Sequence, residues 1–293
     1  MFNITSDVHV DLYYQTNNSQ KQNYDYILGN LDKLPLKVIE EIMSNVDEYI
    51  DIMMRETKEI TDTLILAGDI ANNNSYSKEF LKKASKIWNN IWYIDGNHEY
   101  YFQDKDNGDN RLYRLIEDLK DYPNIKYVAN TVQEIQCSKK LLKIGFLPIM
   151  YNMNNPEVLN MFNNRMNDKY FITPDYMYES YEKGCIFYEN EIYEKCDICV
   201  SHVPLLRSEG TSGEETTYYT KLKIDPKIIY FFGHTHRNEE VNAYITTING
   251  RKESVKGYSV GVGYPVSYGR GIGIPHTQTF TWAYNENRLV ELK

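Results

Sequence analysis

The sequence predicts an α/β protein, and three observations carry that prediction. Short apolar runs such as TLILA (63–67) and IWYI (91–94) alternate with helical patterns, the order of a parallel sheet joined by crossover helices. Each early strand stops abruptly on glycine or polar residues, so its carboxyl end is sharply marked. Beyond residue 237 the pattern changes to strand-like stretches at 241–248, 256–262, 278–284 and 288–292, which predict a second, largely antiparallel layer.

Residues 1–6 form the first strand and lead directly into Asp7-Val8-His9. Residues 10–34, rich in Asn, Gln and Tyr, read as a loop or short-helix insertion near the mouth of a site. From 35 to 58, Val38, Ile39, Ile42, Val46, Ile50 and Met53 recur at threes and fours, an amphipathic helix with Pro35 suited to its first turn. The strand 63–67 ends in Gly68-Asp69. A helix over 77–89 turns Phe80, Leu81, Ala84, Ile87 and Trp88 toward the sheet. The next strand, 91–94, breaks at Asp95-Gly96, where a sharp turn presents Asn97, His98 and Glu99. A loop (103–110), a helix (111–121) and strands at 125–129, 132–136 and 141–147 follow.

Residues 150–195 read as mainly helical. The strand 197–201 runs into His202. The segment 207–221 has little apolar content and reads as a mobile loop or lid. The strand 227–232 ends in Gly233-His234-Thr235-His236. The glycines of 257–273 lack GxGxxG spacing and read as strand packing and turns. No repeat or linker divides the chain, which predicts one domain over 1–293.

Composition narrows the function classes. An excess of 41 acidic over 32 basic residues gives a net charge of −9, which argues against a coat for extended nucleic acid or an anionic membrane. The amino terminus, MFNITSD, has neither the basic nor the apolar region of a signal peptide, and no apolar run approaches a membrane span, so the expected location is cytoplasmic. Of the four cysteines, Cys196 and Cys199 have CxxC spacing, but no second pair completes a zinc ribbon. The strand that follows suits buried, structural thiols better.

The histidines carry the chemistry. Five of the six, His9, His98, His202, His234 and His236, fall at predicted strand ends together with Asp7, Asp69 and Asn97. A lone histidine is ordinarily a core or surface residue, the reading given to His276. Several imidazoles gathered at one sheet edge would repel when protonated and lose solvation when buried, unless a cation organises them. Nitrogen and carboxylate donors without sulfur suit Zn, Mn or Fe, and a shared aspartate could bridge two such ions.

The ordered set Asp7-x-His9, Gly68-Asp69, Gly96-Asn97-His98-Glu99, His202 and Gly233-His234-x-His236 resembles the calcineurin-like metallophosphoesterases, particularly small bacterial or phage-type members. Each motif alone is weak; their order, each after a predicted strand, is specific. The resemblance runs from residue 1 to about 237 and implies a sandwich of two mixed β-sheets flanked by helices. It further implies two divalent ions, manganese foremost, with iron, zinc or nickel as alternatives. Asp7, His9, Asp69 and His236 would hold the first ion. Asp69 as bridge, Asn97, His202 and His234 would hold the second. His98 would stand beside the scissile phosphate, protonating the leaving oxygen or stabilising charge, and a metal-bridging hydroxide would be the nucleophile.

The chain also departs from parts of that family. Protein Ser/Thr phosphatases follow GD with a DRG-type sequence, whereas Asp69 here precedes Ile70-Ala71-Asn72. Repair nucleases usually carry Asp at the Glu99 position and have extra DNA-binding regions. The reading that follows is hydrolysis of small phosphodiesters, such as nucleotides or cyclic nucleotides. The alternatives are a phosphomonoesterase or nuclease, or a metal-stabilised binding module that has lost catalysis. Arg207, Arg237 and Arg270 are candidate phosphate contacts through bidentate guanidinium geometry, the competing reading being solvent-facing residues.

Overall fold

The computed structural model describes residues 1–11, 36–101, 110–137, 140–148, 150–206, 222–246, 252–262, 280–285 and 288–291. The insertion at 12–34, the loop at 207–221, Arg207, Arg270 and His276 lie outside the described residues.

Two six-stranded sheets face each other. The first has β1 (Phe2–Thr5), β2 (Thr63–Ala67), β3 (Asn90–Ile94) and β4 (Ile125–Tyr127) side by side and parallel. The second contains β5 (Thr131–Cys137), β6 (Lys140–Leu147), β7 (Ile198–Ser201) and β8 (Ile229–Phe232), followed by β10 (Lys252–Val260) and, at its edge, β9 (Asn238–Thr246). The late strands are real, but they do not make one antiparallel layer. Within the second sheet β10 runs parallel to β8 while pairing antiparallel with β9. The last two strands, β11 (Phe280–Asn285) and β12 (Arg288–Glu291), join the first sheet instead, β11 antiparallel to β1. Strand order within a sheet is set by which partner offers a free edge, and sequence pattern does not report that.

Period-two alternation builds the layers. In β2, Ile65 and Ala67 face the second sheet, where they pack with Phe146, Val200 and Phe231. Leu64 and Leu66 face outward onto α1 (Leu36–Glu56) and α2 (Asn74–Ala84), meeting Val46, Ile50, Phe80 and Leu81. Both faces of the strand are therefore dry, which is why its sequence is a continuous apolar run. α2 starts three residues earlier than its apolar spacing predicts because the Asn73 side chain accepts the Ser75 N–H at 2.8 Å and caps it.

The outer face of the second sheet is covered by α4 (Pro156–Arg165) and α5 (Pro174–Phe187), while α3 (Arg111–Asp118) packs with α2 on the first. Asn155 and Thr173 cap α4 and α5, each with proline in the first turn. Cys137 lies in the core between the sheets and Cys199 in the core under α5. Burial raises the Cys199 thiol well above its ordinary range and Cys196 to about 11, so neither is poised as a thiolate. Among the described residues, no helix is long and apolar enough to cross a membrane.

The two sheets are stitched together at one end. Ser6 donates its N–H to the Val260 carbonyl at 3.1 Å and accepts the Val262 N–H at 2.9 Å. That bridge brings the carboxyl ends of β1, β2 and β3 against those of β7, β8 and β10. The site lies at this junction.

Candidate metal centre

The residues just past those strand ends converge. Asp7, His9, Asp69 and His236 each offer one donor atom, and the four atoms lie within 4.8 Å of one another. His9 Nε2 is 3.7 Å from Asp69 Oδ2, and His236 Nε2 is 3.6 Å from Asp7 Oδ1. Beside them, Asn97 Oδ1 lies 3.0 Å from His202 Nε2 and 3.2 Å from His234 Nδ1. The same Asp69 Oδ2 is 3.4 Å from His202 Nε2, so one carboxylate oxygen faces both groups. That atom is buried and has no hydrogen-bond partner.

The backbone is bent to make this convergence. Seven non-glycine residues among those described have left-handed φ, and five of them are Asp7 (56°), His9 (42°), Asp69 (58°), His234 (66°) and His236 (53°). Such a conformation costs about 1–3 kcal/mol per residue and clusters where function requires it. Asp and His tolerate it better than most residues. Two glycines permit the approach. A Cβ on Gly96 would lie 2.2 Å from Asp69 Oδ1, and one on Gly233 would lie 1.8 Å from Ser6 Oγ and 2.7 Å from Asp7 Oδ2. Gly261, read from sequence as strand packing, instead brings its backbone against Asp7 and His236.

The donor chemistry fits a cation. His202 Nδ1 lies 2.8 Å from the Ala67 carbonyl, which can only accept, so Nδ1 carries the hydrogen and Nε2 the lone pair. Nε2 thus faces Asn97 Oδ1 and Asp69 Oδ2, and all three are acceptors. Something positive has to stand between them, a proton or a metal ion. Without the ion, burial opposes charge on His202, but Asp69, then Asp7 and the Ala67 carbonyl, outweigh it and push its pKa up to about 10. The other imidazoles behave oppositely: burial and neighbouring histidines hold His9 well below its usual range, His234 at about 3 and His236 below normal. Neutral imidazoles are the form that ligates metal.

His98 sits at the edge of both groups, its ring 4.5 Å from that of His9. Its backbone N–H donates to Asp69 Oδ1 at 2.8 Å and its Nδ1 lies 2.6 Å from Asn72 Oδ1, while Nε2 is 3.9 Å from Asp69 Oδ2. Its ring stacks on Tyr101, with centroids 4.1 Å apart, and Tyr101 in turn meets Phe171. Burial, opposed by Asp69, lowers its pKa to about 4.

A cleft of about 350 Å³ opens over these residues, lined by Asp69, Asn97, His98, His234 and His236 on one side and by Tyr101, Met161, Arg165, Met166, Asn167 and Asp168 on the other. Arg237 does not line it; its exposed guanidinium lies 3.5 Å from Glu239.

Several supporting residues had no role assigned from sequence. The buried Glu99 carboxylate accepts the backbone N–H groups of Asp69, Ile70 and Gly96 at 2.9, 2.8 and 2.6 Å, tying the β2 turn to the β3 turn. Arg111 spans the same region by donating to the carbonyls of Ala71, Asn72 and Tyr101. Tyr151 lies 2.8 Å from His234 Nε2. Only Glu99 had a sequence cue, its place inside the GNHE motif; Arg111 opens α3 and Tyr151 lies in a loop, and neither belongs to a recognisable motif.

The sequence profile of the calcineurin-like phosphoesterase family matches residues 2–238, and the chain belongs to that family. It is a metal-dependent phosphoesterase. An uncharacterized protein of Acanthamoeba polyphaga mimivirus is 37% identical over 81 residues, a match covering 25% of this chain and 27% of that protein. Among solved structures, phosphopantetheinyl hydrolase from Mycobacterium tuberculosis superposes with a TM-score of 0.53 at 15% identity, covering 90% of this chain and 89% of that one, a likeness of fold. A dimetal phosphatase from Danio rerio aligns over 99% of this chain and 94% of its own at 11% identity, with a TM-score of 0.37.

Proposed function

We propose that the chain is a binuclear phosphodiesterase for small substrates such as nucleotides or cyclic nucleotides, folded as one domain over 1–293. The observation that carries the two-ion reading is Asp69 Oδ2, buried without a hydrogen bond and facing His9 Nε2 at 3.7 Å and His202 Nε2 at 3.4 Å. Asp7, His9, Asp69 and His236 would hold one ion; Asp69, Asn97, His202 and His234 would hold the other. Nitrogen and oxygen donors suit Mn, Fe or Zn, and the family resemblance puts manganese first. Two such ions supply an ionised water near neutral pH and positive charge facing the phosphoryl oxygens.

The protein's own groups do the rest. Asn72 fixes the His98 ring so that Nε2 faces the cleft, where it meets the leaving oxygen. His98 is neutral at rest, and an incoming phosphate favours its protonated form by charge. The cleft volume suits a small ligand. A net charge of −9 disfavours extended polyanions.

The test is metal analysis after Mn²⁺ loading, combined with hydrolysis of bis-para-nitrophenyl phosphate, its monoester, a nucleotide panel, phosphopeptides and duplex DNA. Close to two ions per chain and a higher kcat/KM for small diesters are expected. A maximum of one ion, with Asp69→Asn loading normally, overturns the bridge. Preference for phosphopeptides or duplex DNA overturns the substrate class and leaves the metal centre standing.

A further inference from the structure

Arg111 is a costly residue where it stands. Asn110 caps α3 by accepting the Tyr113 N–H at 2.9 Å, which puts Arg111 in the first turn of the helix. The positive end of a helix disfavours a cation there, and Arg111 is only 3% exposed, so burial opposes its charge as well. Burial lowers its pKa to about 10, which leaves it charged at neutral pH. The guanidinium joins two loops. It donates to the carbonyls of Ala71, at 2.5 Å, and Asn72 after β2, and to that of Tyr101, at 2.8 Å, after the short helix His98–Tyr100. Its Nε donates to Asn74 Oδ1 at 2.8 Å, and the Asn74 side chain donates back to the Arg111 carbonyl at 2.7 Å. Arg111 itself does not line the cleft.

We propose that Arg111 is a positioning residue for His98: it fixes the two side chains that hold the imidazole by gripping the backbone that carries them. The inference rests on the role given to His98 above. One of the two is Asn72, whose Oδ1 lies 2.6 Å from His98 Nδ1 and sets the rotation of the ring. The other is Tyr101, whose ring stacks on the imidazole at 4.1 Å between centroids and covers one face. They belong to different loops, and Arg111 Nη1 donates to both of their carbonyls at once. Asp11 Oδ2 holds the other end of Asn72, accepting its N–H at 3.2 Å. A planar guanidinium spans several acceptors in a fixed fork, whereas an ammonium is a compact point charge, so the arrangement is specific to arginine. Glu99 does the complementary work, its carboxylate taking the N–H groups of Asp69, Ile70 and Gly96 on the turns that carry metal donors. The metal floor and His98 thus have separate clamps, and the loss of one should be separable from the loss of the other.

The experiment uses the full chain as wild type, Arg111→Ala, Arg111→Lys, His98→Ala and the two double variants. Each is titrated with Mn²⁺ by calorimetry, and kcat is measured on bis-para-nitrophenyl phosphate and on a dinucleotide, whose leaving group is poorer. Misplacing a reacting group by about 1 Å costs about 10²-fold, so Arg111→Ala should lower kcat on the dinucleotide by about that factor. Arg111→Lys, which keeps the charge without the fork, should lower it by a smaller factor. Mn²⁺ affinity should stay at the wild-type value, and the dependence on leaving group should match that of His98→Ala. In the His98→Ala background neither substitution should lower kcat further, because the effect passes through His98. If Arg111→Ala fails to fold, Arg111→Lys carries the test with the same pattern; failure of both to fold makes Arg111 a residue of the fold alone and overturns the proposal. Wild-type kcat in both variants, a loss that adds fully to that of His98→Ala, or a loss that follows Mn²⁺ affinity overturns the proposal and leaves the role of His98 standing. Wild-type kcat in His98→Ala, or no turnover of either diester by the wild type, overturns that role and the proposal with it.

Discussion

The floor and the wall of the cleft are built by opposite means. The floor is five strand ends, with buried side chains, backbone in left-handed φ at Asp7, His9, Asp69, His234 and His236, and glycines where no Cβ fits. The wall is the end of α4 and the turn after it, where Arg165 is exposed and Met161 and Met166 are half-buried. Strain on the floor persists because hydrogen bonds determine it, as when Glu99 holds three backbone N–H groups of the β2 and β3 turns and Asp7 accepts the His234 N–H from the second sheet. Under the proposed function, the chemistry belongs to the buried side, and the more exposed side is the one the rest of a substrate would meet. Substitutions should therefore act on turnover and metal binding at the floor, and on substrate choice at the wall.

The largest expected effect is at His98. His98→Ala should retain metal and lose about 10²–10⁴-fold in turnover, the usual contribution of a positioned acid. Protonation matters most when the leaving group is poor, so the loss should shrink for nitrophenolate. Equal losses for good and poor leaving groups would assign His98 to charge stabilisation and remove the acid role.

Gly233→Ala tests the floor without replacing any donor. Its Cβ would stand 1.8 Å from Ser6 Oγ and 2.7 Å from Asp7 Oδ2, so β1 and β8 would have to part. Overpacking of this kind costs about 1–3 kcal/mol. Thermal denaturation should show that loss, together with reduced Mn²⁺ occupancy. On the wall, Tyr170 is 63% exposed, and Tyr170→Ala should change stability by no more than about 0.5 kcal/mol. Similar losses for the two variants would erase the contrast.

The same contrast governs what was legible in the sequence. The floor could be read because strand, turn and metal-binding side chain are adjacent in the chain, so Gly68-Asp69 and Gly233-His234-Thr235-His236 carry geometry and chemistry in one motif. Asp168 could not. It lies in a helical stretch of ordinary composition and comes to line the cleft only because α4 folds back over the second sheet. Arg111 is similar: its carbonyl partners at Ala71 and Asn72 are about forty residues away. The destination of β11 and β12 was hidden for a related reason, since edge pairing is settled by tertiary packing rather than by local pattern.

A smaller effect is expected from pH. In the metal-free protein His202 is raised from 6.5 to about 10, above its unfolded value. Its contribution to stability is fully present below about pH 6.5 and is lost as pH rises through about 10. Below pH 10 a metal ion that takes Nε2 must displace the proton, so metal affinity should rise with pH. Calorimetry at pH 8 in two buffers of different ionisation enthalpy should report roughly one proton released per chain on loading. Release of none would mean that His202 Nε2 does not exchange a proton for the ion.

The smallest effect separates two arginines. The bidentate geometry of its guanidinium made Arg237 a candidate phosphate contact, yet its side chain is 67% exposed and pairs with Glu239 at 3.5 Å. Its carbonyl is the structural part, accepting the Gly261 N–H at 3.0 Å and the Ser259 hydroxyl at 2.8 Å, and alanine keeps both. An exposed ion pair contributes at most about 1 kcal/mol. Arg237→Ala should therefore leave stability and KM nearly unchanged. Arg165, by contrast, lines the cleft beside Met161 and Met166. Arg165→Ala should raise KM for diesters with a second anionic group while leaving bis-para-nitrophenyl phosphate unaffected, since that substrate offers no second charge. Comparing the two variants on both substrates decides which guanidinium the substrate meets, and a KM effect from Arg237→Ala alone would return the contact to the strand end.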